Sequence, residues 1–192
     1  MKPIFSDIFN RWRHTLGYGV HSPLAYRIVK ECIRPDKRYA MYADSRIDFL
    51  FADDRKRCVQ LKMLIRLINL LKISDIMIPN CPKKIRQILS DAYPGLHLRT
   101  DAQKAKNVGL IVVFDNSQLA NAANILHLAC SERDCEWGLL LLGERQCPDS
   151  LADRLKPATG SLLDSASLII RGGHFSLYLK RLGMHRIEYD VL

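Results

Sequence analysis

The stretch Val108–Cys130, VGLIVVFDNSQLANAANILHLAC, followed by Trp137–Leu142, WGLLLL, decides the fold. Leu110–Phe114 and Trp137–Leu142 are apolar without the polar alternation of a strand that has one wet face, so both read as strands buried on two sides. Ser117–Cys130 between them reads as a helix. A helix joining two fully buried strands is the unit of a parallel sheet with helices on its faces.

Outward from this unit the pattern repeats. Asp75–Pro79 and Leu96–Thr100 read as strands separated by a helix over Lys83–Ala92. Upstream, Cys58, Leu61, Leu64, Ile65, Ile68 and Leu71 recur at the i, i+3, i+4 spacing of one helix face over Arg55–Lys72, with Arg57, Lys62 and Arg66 among the polar positions. Downstream, Ser167–Arg171 and His174–Lys180 flank Gly172-Gly173, a dipeptide suited to the positive φ of a hairpin turn. Arg186–Val191 alternates as a last strand. The expected sheet is mainly parallel, of about five to seven strands, with Asp75–Pro79 central and the hairpin supplying an antiparallel strand.

At the other end, Ile4, Phe5, Ile8, Phe9 and Trp12 lie at helical spacing, and Gly17 and Gly19 stop that helix. Ser22 before Pro23 is a capping residue followed by proline at the first helical position, so a second helix is expected over Leu24–Ile33, ending before Pro35. Residues 35–54 read as loop plus a short helix. The two N-terminal helices need a surface for their apolar stripes, so they are expected to cover the carboxyl-end side of the sheet with Trp12 and Tyr26 inward.

The chain has 192 residues, of which 48% are hydrophobic and 26% charged. These are ordinary globular values that exclude disordered, collagen-like and small disulfide-stapled classes. No apolar run approaches a membrane span, and MKPIFSDIFNRWRH interrupts any leader-like stretch with Asp, Asn and Arg, so a cytoplasmic protein without membrane contact is expected. Six scattered cysteines without a CxxC pair fit reduced thiols. His127, Cys130, Cys135 and Cys147 are not expected to make a zinc site, because the first two lie on a predicted helix and the C-x4-C spacing has no partner knuckle.

The net charge of +9 is uneven. Residues 1–66 hold 14 Lys/Arg against 7 Asp/Glu, whereas residues 131–192 hold 8 against 9. A basic N-terminal third is either a surface for nucleic acid or a set of solvated helix faces. The second is preferred, since no aromatic-interleaved RNA motif accompanies the charge.

Four segments carry a family resemblance. RWRHTLGYGVHSPLAYRIVKECI at 11–33 resembles the N-terminal signature of a group of bacterial O-methyltransferase-like proteins within the class I S-adenosylmethionine-dependent methyltransferases. VQLKMLIRLINLLKISDIMI at 59–78 is similar to that group's helix and first strand, VGLIVVFDN at 108–116 to its fourth strand and WGLLLLGER at 137–145 to its fifth. The resemblance implies a Rossmann-like α/β fold: a mainly parallel sheet with helices on both faces, a C-terminal antiparallel hairpin and an N-terminal helical extension. Residues 1–54 would form that extension and residues 55–192 a reduced methyltransferase-like domain, the whole being one globular unit.

The departures from the family shape the functional expectation. Members carry a Gly-rich loop after the first strand, where the methionine part of the cofactor meets the backbone. Here the loop reads Pro79-Asn80-Cys81-Pro82-Lys83, so Asn80 is at most a vestige of the cofactor loop. Asp101 stands where an acidic residue would hold the ribose hydroxyls, or is a turn aspartate. The short link from Thr100 to Leu110 replaces the family's helix, strand and helix. Asp115 and Glu144 follow two neighbouring strands as a candidate carboxylate pair, with structural or solvated roles as the alternative. His21 is a candidate proton carrier or the residue that fixes the turn before Ser22. No metal site is expected.

A degenerate methyltransferase-like protein is therefore expected, without cofactor or catalysis, acting through a protein partner or a second copy. The alternatives are an active S-adenosylmethionine-dependent methyltransferase and a nucleic-acid-binding module.

Overall fold

A computed structural model of the chain describes residues 22–34, 42–100, 108–129, 136–143 and 148–191. The N-terminal segment 3–14, Trp12 included, lies outside the described residues.

Helix α1 spans Pro23–Arg27, capped as expected by Ser22, whose Oγ accepts the Ala25 N–H at 3.3 Å. The chain then widens into a π-helical turn over Ile28–Ile33, closed by the Arg34 N–H on the Val29 carbonyl at 2.9 Å. Periodicity predicts one helix here and does not separate the two forms. Helix α2, Tyr42–Leu50, is the short helix of the 35–54 region.

Helix α3, Arg55–Leu71, follows its predicted stripe, burying Cys58, Leu61, Leu64, Ile65 and Ile68. Asp54 caps it through the Arg57 N–H at 2.9 Å, and Lys72 ends it in the left-handed conformation with φ 53°. Arg57 departs from the expected polar face and is 5% exposed.

The remaining elements are β1 (Asp75–Met77), α4 (Lys83–Ala92), β2 (His97–Arg99), β3 (Leu110–Val113), α5 (Leu119–Ala129), β4 (Trp137–Leu141), α6 (Pro148–Thr159), β5 (Leu168–Gly172), β6 (Phe175–Lys180) and β7 (Ile187–Asp190). A 3-10 turn, Asn116–Gln118, leads into α5, and another, Gly160–Ser165, follows α6. Helix α6 is additional to the helices read from the sequence.

The seven strands form one mixed α/β sheet in the order β2-β1-β3-β4-β6-β5-β7. All neighbouring pairs are parallel except the two made by β6, which runs antiparallel to β4 and β5. The central strand is β4; β1 is interior but second from an edge, because the hairpin and β7 extend the sheet on the other side. The hairpin register pairs Gly172 with Phe175, so Gly173 and His174 form the turn, one residue later than expected. Neither glycine occupies the left-handed region; a Cβ on Gly172 would instead meet the Phe175 ring at 2.5 Å.

Strand residues alternate between two cores. Ile76, Leu110, Val112, Leu140, Ile170 and Leu177 face the layer made by α1, the π turn, α2, α3 and α4. Met77, Ile111, Val113, Leu139, Leu141 and Tyr178 face α5 and α6. Ala25, Ile28, Val29 and Ile47 join the first core, so residues 22–34 and 42–50 share it with the sheet. Tyr26, expected inward, is 45% exposed. Among the described residues no helix is long and apolar enough to cross a membrane.

Candidate functional site

The chain leaves β1 toward β2 on one side and returns as β3 on the other, so the strand order reverses between β1 and β3. In open α/β sheets such a reversal opens a crevice beyond the carboxyl ends of the strands, because successive crossovers depart to opposite sides. The segments that follow are Ile78–Pro82 after β1 and Phe114–Gln118 after β3.

Gln118 spans this crevice. Its side-chain oxygen accepts the Phe114 N–H at 2.6 Å, and its amide nitrogen donates to the Pro79 carbonyl at 2.6 Å. At 2% exposure, it satisfies one backbone group from each side and ties the two strand ends together. Asn80 beside it takes φ 51°, a left-handed conformation that asparagine tolerates better than most residues. Cys81 is buried, and burial pushes its thiol up to about 11 against the partial opposition of Arg86, which leaves it a poor nucleophile near neutral pH.

Outside the Gln118 bridge lies a cleft of about 370 Å³. Asp54 and Arg57 from the start of α3 form part of its wall, with Asn80, Lys83 and Lys84 at the start of α4 and Asp115 after β3. Phe51, Pro82, Ile85 and Phe114 contribute apolar surface. The Arg57 guanidinium carbon sits 4.6 Å from the centroid of the Phe114 ring, a cation–π contact. Arg57 Nη1 also donates to Gln60 Oε1 at 3.3 Å.

Gln60 completes the support. Its Nε2 lies within donating distance of the Leu142, Gly143 and His174 carbonyls, at 3.0, 3.1 and 2.9 Å. One side chain of α3 therefore fixes the end of β4 and the hairpin turn, while the adjacent Arg57 covers the end of β3. The sequence reading missed Gln60, Arg57 and Gln118. Gln60 and Arg57 carry a legible signal, since they interrupt the buried stripe of an otherwise regular helix; Gln118 carries none, because a glutamine in a first turn is ordinarily solvated.

Of the candidates named from sequence, Asn80 and Asp115 both line the cleft. Asp115 Oδ1 accepts the Ser117 N–H at 2.8 Å and the Ser117 hydroxyl at 2.5 Å, the bonding of an Asx turn that starts the 3-10 segment. Its carboxylate thus has a structural occupation. Glu144, Asp101 and His21 lie outside the described residues. His127 bonds to the Ala158 carbonyl at 2.8 Å. Among the described residues no group of three His, Cys, Asp or Glu side chains is placed to hold a metal ion.

A second hollow, of about 350 Å³, lies between α6 and the β5–β7 end of the sheet. Most of its charges pair with one another: Glu188 accepts from Arg171 at 3.1 Å and from Arg186 at 2.7 Å, and Lys156 holds Asp153 at 3.0 Å. Comparison with family models, with curated proteins and with solved structures gave no match for this chain. The geometry of the cleft therefore carries the functional reading.

Proposed function

We propose that the protein is a reduced, Rossmann-like member of the methyltransferase-like group that does not hold S-adenosylmethionine and acts as a binding protein. The observation that supports this most is the Gln118 bridge. A cofactor entering between β1 and β3 would need backbone groups there, and the Phe114 N–H and Pro79 carbonyl are already satisfied within the fold. Opening the bridge would leave two buried groups unpaired, at about 2 kcal/mol or more.

The loop works in the same direction. Pro79 and Pro82 carry no N–H and hold φ fixed, where a glycine turn would let a ligand approach the main chain. Lys83 and Lys84 add positive charge beside a position where the cofactor's sulfonium would also be positive. The element order, helix then strand–helix units then a terminal antiparallel hairpin, is similar to that of the family, beside the four segments that carry the likeness. Titration calorimetry of the full chain with S-adenosylmethionine and S-adenosylhomocysteine tests the reading. Dissociation constants of about 1 mM or weaker are expected, and one below about 50 µM would return the protein to the active methyltransferases.

A further inference from the structure

We propose that the cleft between the starts of α3 and α4 binds the phosphate group of a small phosphorylated molecule. The inference goes beyond the absence of S-adenosylmethionine binding: that reading rests on the Gln118 bridge and this one on the basic side chains of the outer wall, of which Lys83 and Lys84 enter both.

Arg57, Lys83 and Lys84 line this cleft, on two helices. Some basic residues on neighbouring elements have carboxylate partners: Arg46 with Asp91, Lys62 with Asp48, Arg66 with Asp44 and Arg99 with Asp75. Among the described residues no carboxylate comes within ion-pair distance of Lys83 or Lys84. Their placement also opposes local helix preference. Helix α4 begins Pro82-Lys83-Lys84, without a side-chain cap and without an acidic residue in its first turn. Helix α3, by contrast, has the Asp54 carboxylate at its cap. Cations at a helix start repel the positive end of the peptide dipoles, so each such placement costs stability unless an anion compensates it. Where a sequence breaks a local rule at a concave site, function is the expected reason.

The rest of the lining selects the ligand class. Asp54 and Asp115 carry negative charge, but their oxygens accept the Arg57 and Ser117 N–H groups, which fixes them as caps. Three basic side chains against two acidic ones make a weakly positive site, in which affinity should fall with salt. Phe51, Pro82 and Ile85 offer an apolar wall for the remainder of an organic molecule. A confined volume of about 370 Å³ suits a small ligand, whereas a nucleic-acid strand would track a longer basic groove.

The test uses the full chain at low ionic strength with phenyl phosphate and pyrophosphate as probes, phenol and sulfate as controls, and calorimetry as the readout. Saturable binding of both phosphates, weakened at least about tenfold in the Lys83→Ala/Lys84→Ala variant, is expected. Both lysines are exposed, and removing cations from a helix start relieves repulsion, so the unliganded variant should melt no lower than the parent. A variant that melts lower would give the lysines a structural role and overturn the proposal. Lack of saturation by both phosphates up to about 5 mM, a level corresponding to some 3 kcal/mol of binding, would overturn it too. So would equal affinities in parent and variant, or a lysine-dependent affinity for a 20-nucleotide single strand exceeding that for phenyl phosphate about a hundredfold, which would make the surface a nucleic-acid site. Failure here leaves the cofactor titration unaffected, so the two readings fail separately.

Discussion

Gln60 is 1% exposed and makes its polar contacts with Arg57 and with three carbonyls that lie 82 or more positions away in sequence. Replacement by leucine keeps most of the volume and removes every bond, leaving several buried acceptors without a donor. Gln60→Leu should lose about 3 kcal/mol, read as a lower urea midpoint at unchanged slope, while a loss under about 0.5 kcal/mol would show that water replaces the amide. The residue scale is also where sequence reading is weakest. Asn80 and Asp115 are legible because they follow predicted strands, but the partners that decide their surroundings come from α3 and the turn before α5. Spacing shows that Arg57 and Gln60 share a helix face with Leu64; it does not show that the face meets strand ends instead of sheet centre.

At the scale of elements, burial on both faces made β3 and β4 legible, since each consists wholly of buried residues. The central position of β4 has a local consequence. A Cβ on Gly138 would lie 2.9 Å from Leu110 Cδ1, 3.0 Å from Leu179 Cδ2 and 3.1 Å from the Gly109 carbonyl. The leucine ends can shift slightly, but the carbonyl belongs to the backbone just before β3. Gly138→Ala should therefore destabilise by about 1–3 kcal/mol in chemical denaturation, and a neutral result would mean that the sheet opens there more easily than its packing indicates. Helix α6 is hard to see in sequence because it contains Pro148 and Pro157 and is followed by Gly160, residue types that ordinarily break helices. Pro148 starts the helix, where no N–H is needed, and Pro157 falls in its final turn. The widening of Ile28–Ile33 into π geometry leaves no periodic mark, since one additional backbone residue per turn over six positions hardly changes which side chains face inward.

For the whole molecule, pH integrates contributions from the first core and from the surface. Burial pushes the Cys32 thiol up to about 12, and burial also pushes the Tyr93 hydroxyl up to about 12. Both groups lose protons earlier in the unfolded chain, at about 8.5 for the thiol and 10 for the phenol. Their contribution to stability is complete below those values and declines as pH rises toward 12, because the unfolded state then binds fewer protons. Glu188 works at the other end. Its bonds from Arg186 and then Arg171 outweigh burial and hold its carboxyl below the usual range, so its contribution is present above about 4.3 and is lost as pH falls. The urea midpoint should decline on both sides of neutrality. Cys32→Val should flatten the alkaline limb, and an unchanged limb in that variant would remove Cys32 as its cause.

The α/β class, the mixed sheet and most strand positions were legible in the alternation of apolar runs and helical stretches. The crevice between β1 and β3 was legible only as a place, since its state depends on Gln118 joining two loops 39 positions apart. That bridge is the centre of the functional reading. Its most direct test is an amide proton–nitrogen correlation spectrum of the full chain titrated with S-adenosylhomocysteine, followed at the backbone amides of Asn80, Phe114 and Gln118 and at the Gln118 side-chain amide. With the bridge closed, these signals should keep their positions up to about 1 mM ligand, the concentration at which a site with some 4 kcal/mol of binding is half filled. Saturable shifts at these four groups with a midpoint below about 50 µM would show that the cofactor enters the crevice and displaces the glutamine.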